Sequence, residues 1–176
     1  ACLSGVVPAL LLQDKEEEAR LAAHEFEEIL GRGNFYLEVQ EHEMELQREA
    51  NRRIVELARR TRLPLVATND AHYLRPEDAR AHDILLCIGS GKTVNDPHRL
   101  RYGAQDFYVR SPEEMWAIWG GELPEALENS LRIAERCELE LPQGINHVPL
   151  YPVPDGRSVE EYFEEVVRDG YERRRR

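Results

Sequence analysis

The chain contains 176 residues, a length that allows one domain and part of a second. Its formal net charge of −11, with 32% charged residues, excludes a surface that coats nucleic acid over its whole extent, because such surfaces are basic. No apolar run is long enough to span a membrane, no signal peptide opens the chain, and the three scattered cysteines form no disulfide framework, so we expect a cytoplasmic protein.

The first half of the chain predicts two helices separated by a short strand. Residues 14–30 carry apolar side chains at helical spacing and are followed by Gly31, a common helix terminator. Residues 35–39 alternate as a strand does. Residues 45–62 predict a second helix, although Arg62 stands where a glycine would suit a left-handed helix cap better.

The next segment contains the candidate site. Residues 65–67 form a short apolar run after a proline, which predicts a buried strand, and Asp70 and His72 follow it. Residues two apart on an extended chain face the same side, so both side chains should project from the C-terminal end of that strand, where α/β barrels build their active sites. A carboxylate and an imidazole placed in this way form half of a metal site. The alternative is a pair of polar loop residues, because a lone Asp-x-His is common.

The order of strands and helices predicts an α/β fold with a parallel sheet or a barrel. Pro76 is tolerated in the first turn of a helix, which we expect to run to Gly89. Residues 92–105 predict a long loop, because they are polar and contain proline and glycine. A capping box at Ser111 predicts another helix, and residues 124–137 predict a further one.

The C-terminal part predicts a linker and a last helix. Residues 141–156 contain four prolines and two glycines, which is typical of a linker, and Ser158 begins the final helix. Trp116 and Trp119, earlier in the chain, lie at helical spacing beside apolar residues. We therefore interpret them as core residues rather than as a base-stacking pair.

Two further patterns have structural interpretations. Residues 89–93 resemble the end of a phosphate-binding loop, but that loop requires an earlier glycine where this chain has Leu86, and it must follow a strand. The acidic run over residues 38–45, which includes His42, is interpreted as a solvated face or a loop tip, as most such runs are. Glu38 could face the mouth of a barrel but is not assigned as a ligand.

Several segments of the chain occur in a fixed order that resembles the PHP domain of bacterial DNA polymerase III α subunits: residues 1–5, 35–40, 66–74, 81–88, 107–115, 126–129, 133–137 and 152–156. The resemblance implies that residues 1–140 are the C-terminal part of a distorted seven-stranded PHP barrel, with barrel strands and helices to about residue 91 and then a loop and two helices. Residues 141–176 would be a linker and the first helix of the polymerase core, leading into the palm. The chain, which opens in mid-motif without a methionine, would then be a fragment.

The resemblance also implies a cluster of divalent metal ions, zinc or manganese, held by His, Asp, Glu and Cys. Asp70 and His72 match the Asp-x-His pair that supplies two ligands late in the domain, and Cys2 matches a cysteine ligand. A thiolate is a good zinc ligand, whereas the alternative for Cys2 is a small buried hydrophobe. Cys87 and Cys137 are interpreted as structural residues on apolar helix faces.

The family's remaining PHP ligands would lie upstream of residue 1, and the magnesium-binding aspartates of its polymerase palm downstream of residue 176. We therefore expect no catalytic residues within the chain and no activity from the chain alone. The longer protein would perform template-directed DNA synthesis on a primer-template, together with a sliding clamp and other replicase subunits. Its PHP domain would either act as a 3′→5′ exonuclease or support the polymerase structurally.

Two alternative functions remain open. The first is a stand-alone PHP phosphoesterase, against which the long loop, helices and linker after Gly91 argue. The second is a non-catalytic PHP platform. An upstream His-x-His motif would favour catalysis, and its loss would favour the platform.

Overall fold

The computed structural model describes residues 3–144 and 148–175 of the chain. It forms two compact units, Ala1–Glu138 and Leu139–Arg176. The division falls close to the boundary placed between residues 140 and 141 from the sequence. The assignment of the two units to a PHP domain and a polymerase core stays a prediction.

The first unit is mixed α/β and mostly helical. Its helices are α1 (Val6–Leu12), α2 (Glu16–Leu30), α3 (Glu45–Thr61), α4 (Ala79–Ser90), α5 (Pro112–Trp119) and α6 (Pro124–Arg136), and its strands are β1 (Leu37–Gln40) and β2 (Leu65–Thr68). A short 3₁₀ helix, Pro76–Asp78, precedes α4. In the second unit a 3₁₀ helix, Pro154–Gly156, precedes α7 (Val159–Arg175). From α2 onward the predicted order of elements is confirmed, with ends that differ by a few residues, whereas α1 was not predicted. No helix in the described parts of the chain is both long and apolar enough to cross a membrane.

The sheet consists of two parallel strands. β1 and β2 pair with Leu37 opposite Leu65 and Gln40 opposite Thr68, so the predicted parallel sheet is confirmed. Within the described residues this sheet does not close into the barrel that the resemblance implies. Closure requires every strand to pair on both sides, and two strands cannot meet that condition. A seven-stranded barrel therefore stays a prediction for a longer chain.

The hydrophobic core lies where α1, α2, α3 and α6 pack around the two strands. Its buried members include Leu11, Ala19, Ala23, Leu37, Val39, Ile54, Leu57, Ala58, Ala67, Trp119, Ala126 and Leu127. Asn129 on α6 donates a hydrogen bond of 2.7 Å to the carbonyl of Leu65, which attaches that helix directly to the backbone of β2. This polar contact fixes α6 along the strand more closely than apolar packing alone would, because hydrogen bonds are directional.

The structure corrects the sequence interpretations of Trp116 and Cys137 and shows how α3 ends at Arg62. Trp119 is buried in the core, but Trp116 is 49% exposed, since it lies on the outer side of the short helix α5. Cys87 is buried as expected, whereas Cys137 follows the end of α6 and is exposed. Arg62 adopts the left-handed conformation (φ 61°, ψ 22°) at the end of α3 without being a glycine.

The predicted capping box at Ser111 is present, and its contribution to stability can be tested by substitution. The Ser111 hydroxyl accepts a hydrogen bond from the amide of Glu114 (3.2 Å), and the Glu114 carboxylate accepts one from the amide of Ser111 (2.7 Å). We expect Ser111→Ala to lower the free energy of unfolding in urea by about 1 kcal/mol, because one amide of α5 loses its partner. Ser111→Thr keeps the hydroxyl and is the matched control. Equal stability of the alanine and threonine variants would contradict the assignment.

The pH dependence of this cap follows from the pKa of Glu114. The amide of Ser111, followed by the hydroxyl of Tyr108, lowers the pKa of the Glu114 carboxyl. A carboxyl whose pKa is lower in the folded state stabilises the fold fully above its unfolded pKa. That contribution is lost as the pH falls through the lowered value.

Candidate functional site

The candidate site lies at the carboxyl ends of the two parallel strands. His42 follows the last residue of β1 by two positions, and Asp70 follows the last residue of β2 by two positions. Because Gln40 is opposite Thr68, β1 and β2 end at the same level of the sheet. The His42 Nε2 atom therefore lies 3.2 Å from the Oδ2 atom of Asp70.

A small polar network holds the two strand ends in place. Gln40 donates a hydrogen bond from Nε2 to the Thr68 hydroxyl (3.2 Å), which in turn donates to Oε1 of Glu38 (2.6 Å). Asn51 on α3 is buried and donates to the carbonyl of Gln40 (2.6 Å). These bonds satisfy polar groups that would otherwise be buried without partners at the end of the sheet.

Asp70 and His72 lie together, as predicted, but for a different geometric reason. The Nε2 atom of His72 is 3.3 Å from Oδ1 of Asp70. β2 already ends at Thr68, and Asp70 has a left-handed backbone with φ 52°, so the two residues do not share one face of an extended strand. The amide of His72 instead donates to the carbonyl of Phe107 (2.7 Å), and this bond fixes where the imidazole lies.

A segment from much later in the chain completes the site. Tyr73 and Tyr108 form a parallel bridge, and the amide of Val109 donates to the carbonyl of Tyr73 (3.1 Å). The Asn69 side chain supports the same register, because it donates to the carbonyl of Tyr108 (2.6 Å) and accepts from the amide of Arg110 (2.8 Å). The pairing brings Asp106 and Phe107 next to the strand ends.

His42 is the central residue that sequence reasoning missed. Its side chain is only 1% exposed, its ring stacks on Phe107 with 4.2 Å between centroids, and its Nδ1 lies 3.4 Å from Oδ1 of Asp106. The interpretation of this residue as part of a solvated acidic run is therefore wrong. One sequence signal could have indicated that His42 belongs to the site. His42 and Asp70 each follow a strand by two positions, but this places them together only when the register of the two strands is known.

The second ring nitrogen of His42 is buried without a hydrogen bond. Nε2 lies close to the Asp70 carboxylate, but the geometry does not make a hydrogen bond. A buried polar atom left without a partner costs about 1–3 kcal/mol, so such atoms mark places that have another role. The Nε2 atom of His42 could therefore accept or donate a bond to a further polar group placed beside Asp70.

Arg110 balances the negative charge of the cluster. Its Nη2 atom lies 2.6 Å from Oδ2 of Asp106, and its Nη1 donates to the carbonyl of Glu41 (3.0 Å). The Arg110 side chain is 6% exposed and that of Asp106 is 15% exposed, so this is a largely buried ion pair. The pair ties the loop that follows β1 to the segment that carries Phe107.

The donor set fits a divalent metal in part. Two ligand atoms on one tetrahedral zinc, each bonded at about 2.0–2.1 Å, are separated by roughly 3.3 Å. The distance from His72 Nε2 to Asp70 Oδ1 is 3.3 Å, which agrees with that spacing. Cys2, the third predicted ligand, lies outside the described residues. Among residues 3–144 and 148–175, no three His, Cys, Asp or Glu side chains are arranged to hold a metal ion.

The fold and the cluster together define a mixed α/β protein with histidines and carboxylates at the carboxyl ends of parallel strands. No protein-family model matches the chain. The chain is 40% identical over 171 residues to the DNA polymerase III subunit alpha of Treponema pallidum, covering 97% of this chain and 14% of that protein. It is 39% identical over 181 residues to the corresponding subunit of Thermus aquaticus, covering 98% and 14%.

A third relative gives the same result. The DNA polymerase III subunit alpha of Mycobacterium tuberculosis is 35% identical over 175 residues, covering 98% of this chain and 15% of the relative. The chain is therefore homologous to one segment of the bacterial DNA polymerase III α subunits. It spans about 14% of the length of the curated relatives that it matches.

Proposed function

We propose that the chain is a segment of a DNA polymerase III α subunit, with the C-terminal part of a PHP domain in residues 1–140 and the approach to the polymerase palm in residues 141–176. The observation that supports this proposal most strongly is the sequence match, over 97% of the chain, to a single region of those subunits. The longer protein would synthesise DNA on a primer-template in the cytoplasm, with magnesium at a palm outside this segment. A sliding clamp and other replicase subunits would be its partners.

Within this segment, we propose that Asp70, His72 and Cys2 contribute to a divalent metal site that takes zinc or manganese. The paired Asp70 and His72 side chains at the strand ends support this assignment. Such a metal would supply an activated water and charge stabilisation for phosphodiester hydrolysis, as in a 3′→5′ exonuclease. His42 would hold the Asp70 carboxylate in place, while the Phe107 ring would exclude water from one side of both imidazoles.

A second candidate function is a structural platform for the polymerase. It is favoured by the largely buried ion pair of Arg110 and Asp106, which ties the loop after β1 to the segment that carries Phe107. In that case the cluster of His42, Asp70 and Asp106 would serve to join the loops after β1 and β2. Metal content distinguishes the two functions.

The test of the metal site is zinc binding by the chain, measured by competition with a chromogenic chelator. We expect weak binding, weaker than nanomolar, because a site without its full ligand set is open and poorly organised. His72→Ala should weaken it by about tenfold or more. His24→Ala on α2 is the matched control, since His24 lies away from the strand ends and pairs with the neighbouring Glu27.

Two results would contradict the proposed metal site. Equal zinc affinity in the His72→Ala variant and the unchanged chain would remove His72 as a ligand. Sub-nanomolar affinity, or digestion of a labelled primer by the chain, would show that the site is complete within these residues. Melting temperatures measured in parallel separate a lost ligand from a lost fold.

A further inference from the structure

A cleft of about 440 Å³ opens beside His72, between α4 and the loop that precedes Phe107. Its lining includes His82, Arg80, Arg101, Tyr102 and Phe107. A volume of this size falls within the usual range for small-molecule and cofactor sites. Apart from Phe107, the metal site proposed above makes no use of the aromatic and basic side chains that line this cleft.

One wall of the cleft is an aromatic stack. The ring of Tyr102 stacks on His82 with 5.4 Å between centroids and an interplanar angle of 24°. Tyr102 also meets the edge of His72 at 5.1 Å, so the stack adjoins the candidate metal ligand. Tyr102 nevertheless remains 39% exposed. A partly exposed aromatic ring is a surface on which a nucleobase can stack, and such stacking tolerates any base.

The charge of the cleft is opposite to that of the chain. Arg80 and Arg101 line it, and among the described residues no carboxylate pairs with either of them. Arg101 donates to the carbonyl of Val94 (3.2 Å), and its charge also acts on the Asp83 carboxylate, which lines the same cleft. In a chain with a net charge of −11, two such cations in one cleft form a local site for an anion.

A third arginine that lines the cleft, Arg99, has a structural role. Arg99 is 5% exposed and binds both oxygens of Asp83 on α4, at 2.5 and 2.7 Å. This bidentate pair attaches the loop to α4 and so fixes the wall that carries Tyr102. In this ion pair the Arg99 side chain is buried and that of Asp83 is 40% exposed, while the other two arginines have no carboxylate partner among the described residues.

We propose that this cleft binds a nucleotide unit of single-stranded DNA, with the base on Tyr102 and the phosphate on Arg80 and Arg101. The aromatic stack and the unpaired guanidinium groups supply the two interactions by which proteins hold single strands without sequence preference. The choice of DNA as the source of the nucleotide rests on the proposed function. A free mononucleotide offers the same chemistry and is separated from DNA in the experiment below.

The experiment titrates the chain with fluorescein-labelled pentadeoxyadenylate and follows fluorescence anisotropy in the presence of EDTA. Removing metal makes the result independent of the metal site, so each proposal can fail alone. We expect saturable binding that weakens as salt concentration rises. Deoxyadenosine 5′-monophosphate should compete more weakly than unlabelled pentadeoxyadenylate. Tighter binding of the mononucleotide would overturn the assignment to DNA, and no binding of either would overturn the cleft.

Variants identify the cleft as the binding place. Tyr102→Ala should weaken oligonucleotide binding by about tenfold, whereas Tyr102→Trp, which keeps a stacking surface, should bind at least as well as the unchanged chain. Tyr171→Ala on α7 is the control, because Tyr171 is an exposed aromatic residue in the other unit. Equal affinity of the Tyr102→Ala variant and the unchanged chain, at equal melting temperature, would overturn the proposal.

The substitution Arg101→Gln tests the proposed contact between the cleft and the phosphate. We expect about fivefold weaker binding and a shallower dependence on salt, because one phosphate contact is lost. Arg59→Gln on α3 removes the same charge from a different, exposed position and should change neither quantity. An equal effect of both substitutions would show that only net charge matters, and this would overturn the cleft as a specific site.

Discussion

Replacing His42 with alanine is expected to lower the free energy of unfolding by about 3 kcal/mol, the scale of large-to-small substitutions at buried sites. The ring is almost fully buried and stacks on Phe107, so its removal leaves a cavity beneath that side chain. It also leaves the carboxylates of Asp70 and Asp106 without the imidazole that lies between them.

Urea denaturation followed by circular dichroism measures this change. His24→Ala is the matched control, because His24 lies on the partly exposed side of α2 and its loss should cost under about 0.5 kcal/mol. His42→Gln keeps a polar group of similar length and should recover part of the loss. A change below 0.5 kcal/mol for the alanine variant would show that His42 does not support the strand ends.

The glutamine variant also separates a positioning role from a structural one. If His42 holds Asp70 for metal binding, His42→Gln should lower zinc affinity by about 10–100-fold even under conditions where the variant is fully folded, as measured for residues that orient metal ligands. A purely structural His42 would leave zinc affinity unchanged in the folded fraction. The comparison requires both chelator competition and a melting curve for each variant.

The second large effect concerns the longer α subunit that our proposal implies. There, His72→Ala should lower metal content and exonuclease activity at least tenfold if the PHP domain is catalytic. Primer extension should change little, because the metals of DNA synthesis would belong to the palm. Metal content by mass spectrometry, release of labelled nucleotides and primer extension are measured on the same preparation, with melting temperature as the control for folding.

The outcomes of this substitution separate the two candidate functions. Full metal content and a full exonuclease rate in the His72→Ala protein would show that the ligand assignment is wrong. Joint loss of exonuclease and polymerase activity, with a large fall in melting temperature, would favour the structural platform. Loss of exonuclease activity alone would favour catalysis.

Local structure followed from the sequence wherever the determining interactions span a few residues. The capping box at Ser111 involves residues three apart, and the end of α4, expected at Gly89, lies at Ser90 before the left-handed Gly91. The same holds for the strand before Asp70 and for the order of helices from α2 onward. The Asp70–His72 pair was found because its two members are neighbours in the chain.

The rest of the site was decided by contacts between distant residues. In the sequence, His42 is one residue of an acidic run. It lies beside Asp70 because β1 and β2 pair in a parallel register. Asp106 meets His42 from 64 positions away, through the bridge between Tyr73 and Tyr108. Side-chain periodicity reports which face of one element is apolar, but it contains no information on which loop lies against which strand end. Burial of a polar residue such as His42 depends on that tertiary arrangement, because only the folded chain brings its partners within reach.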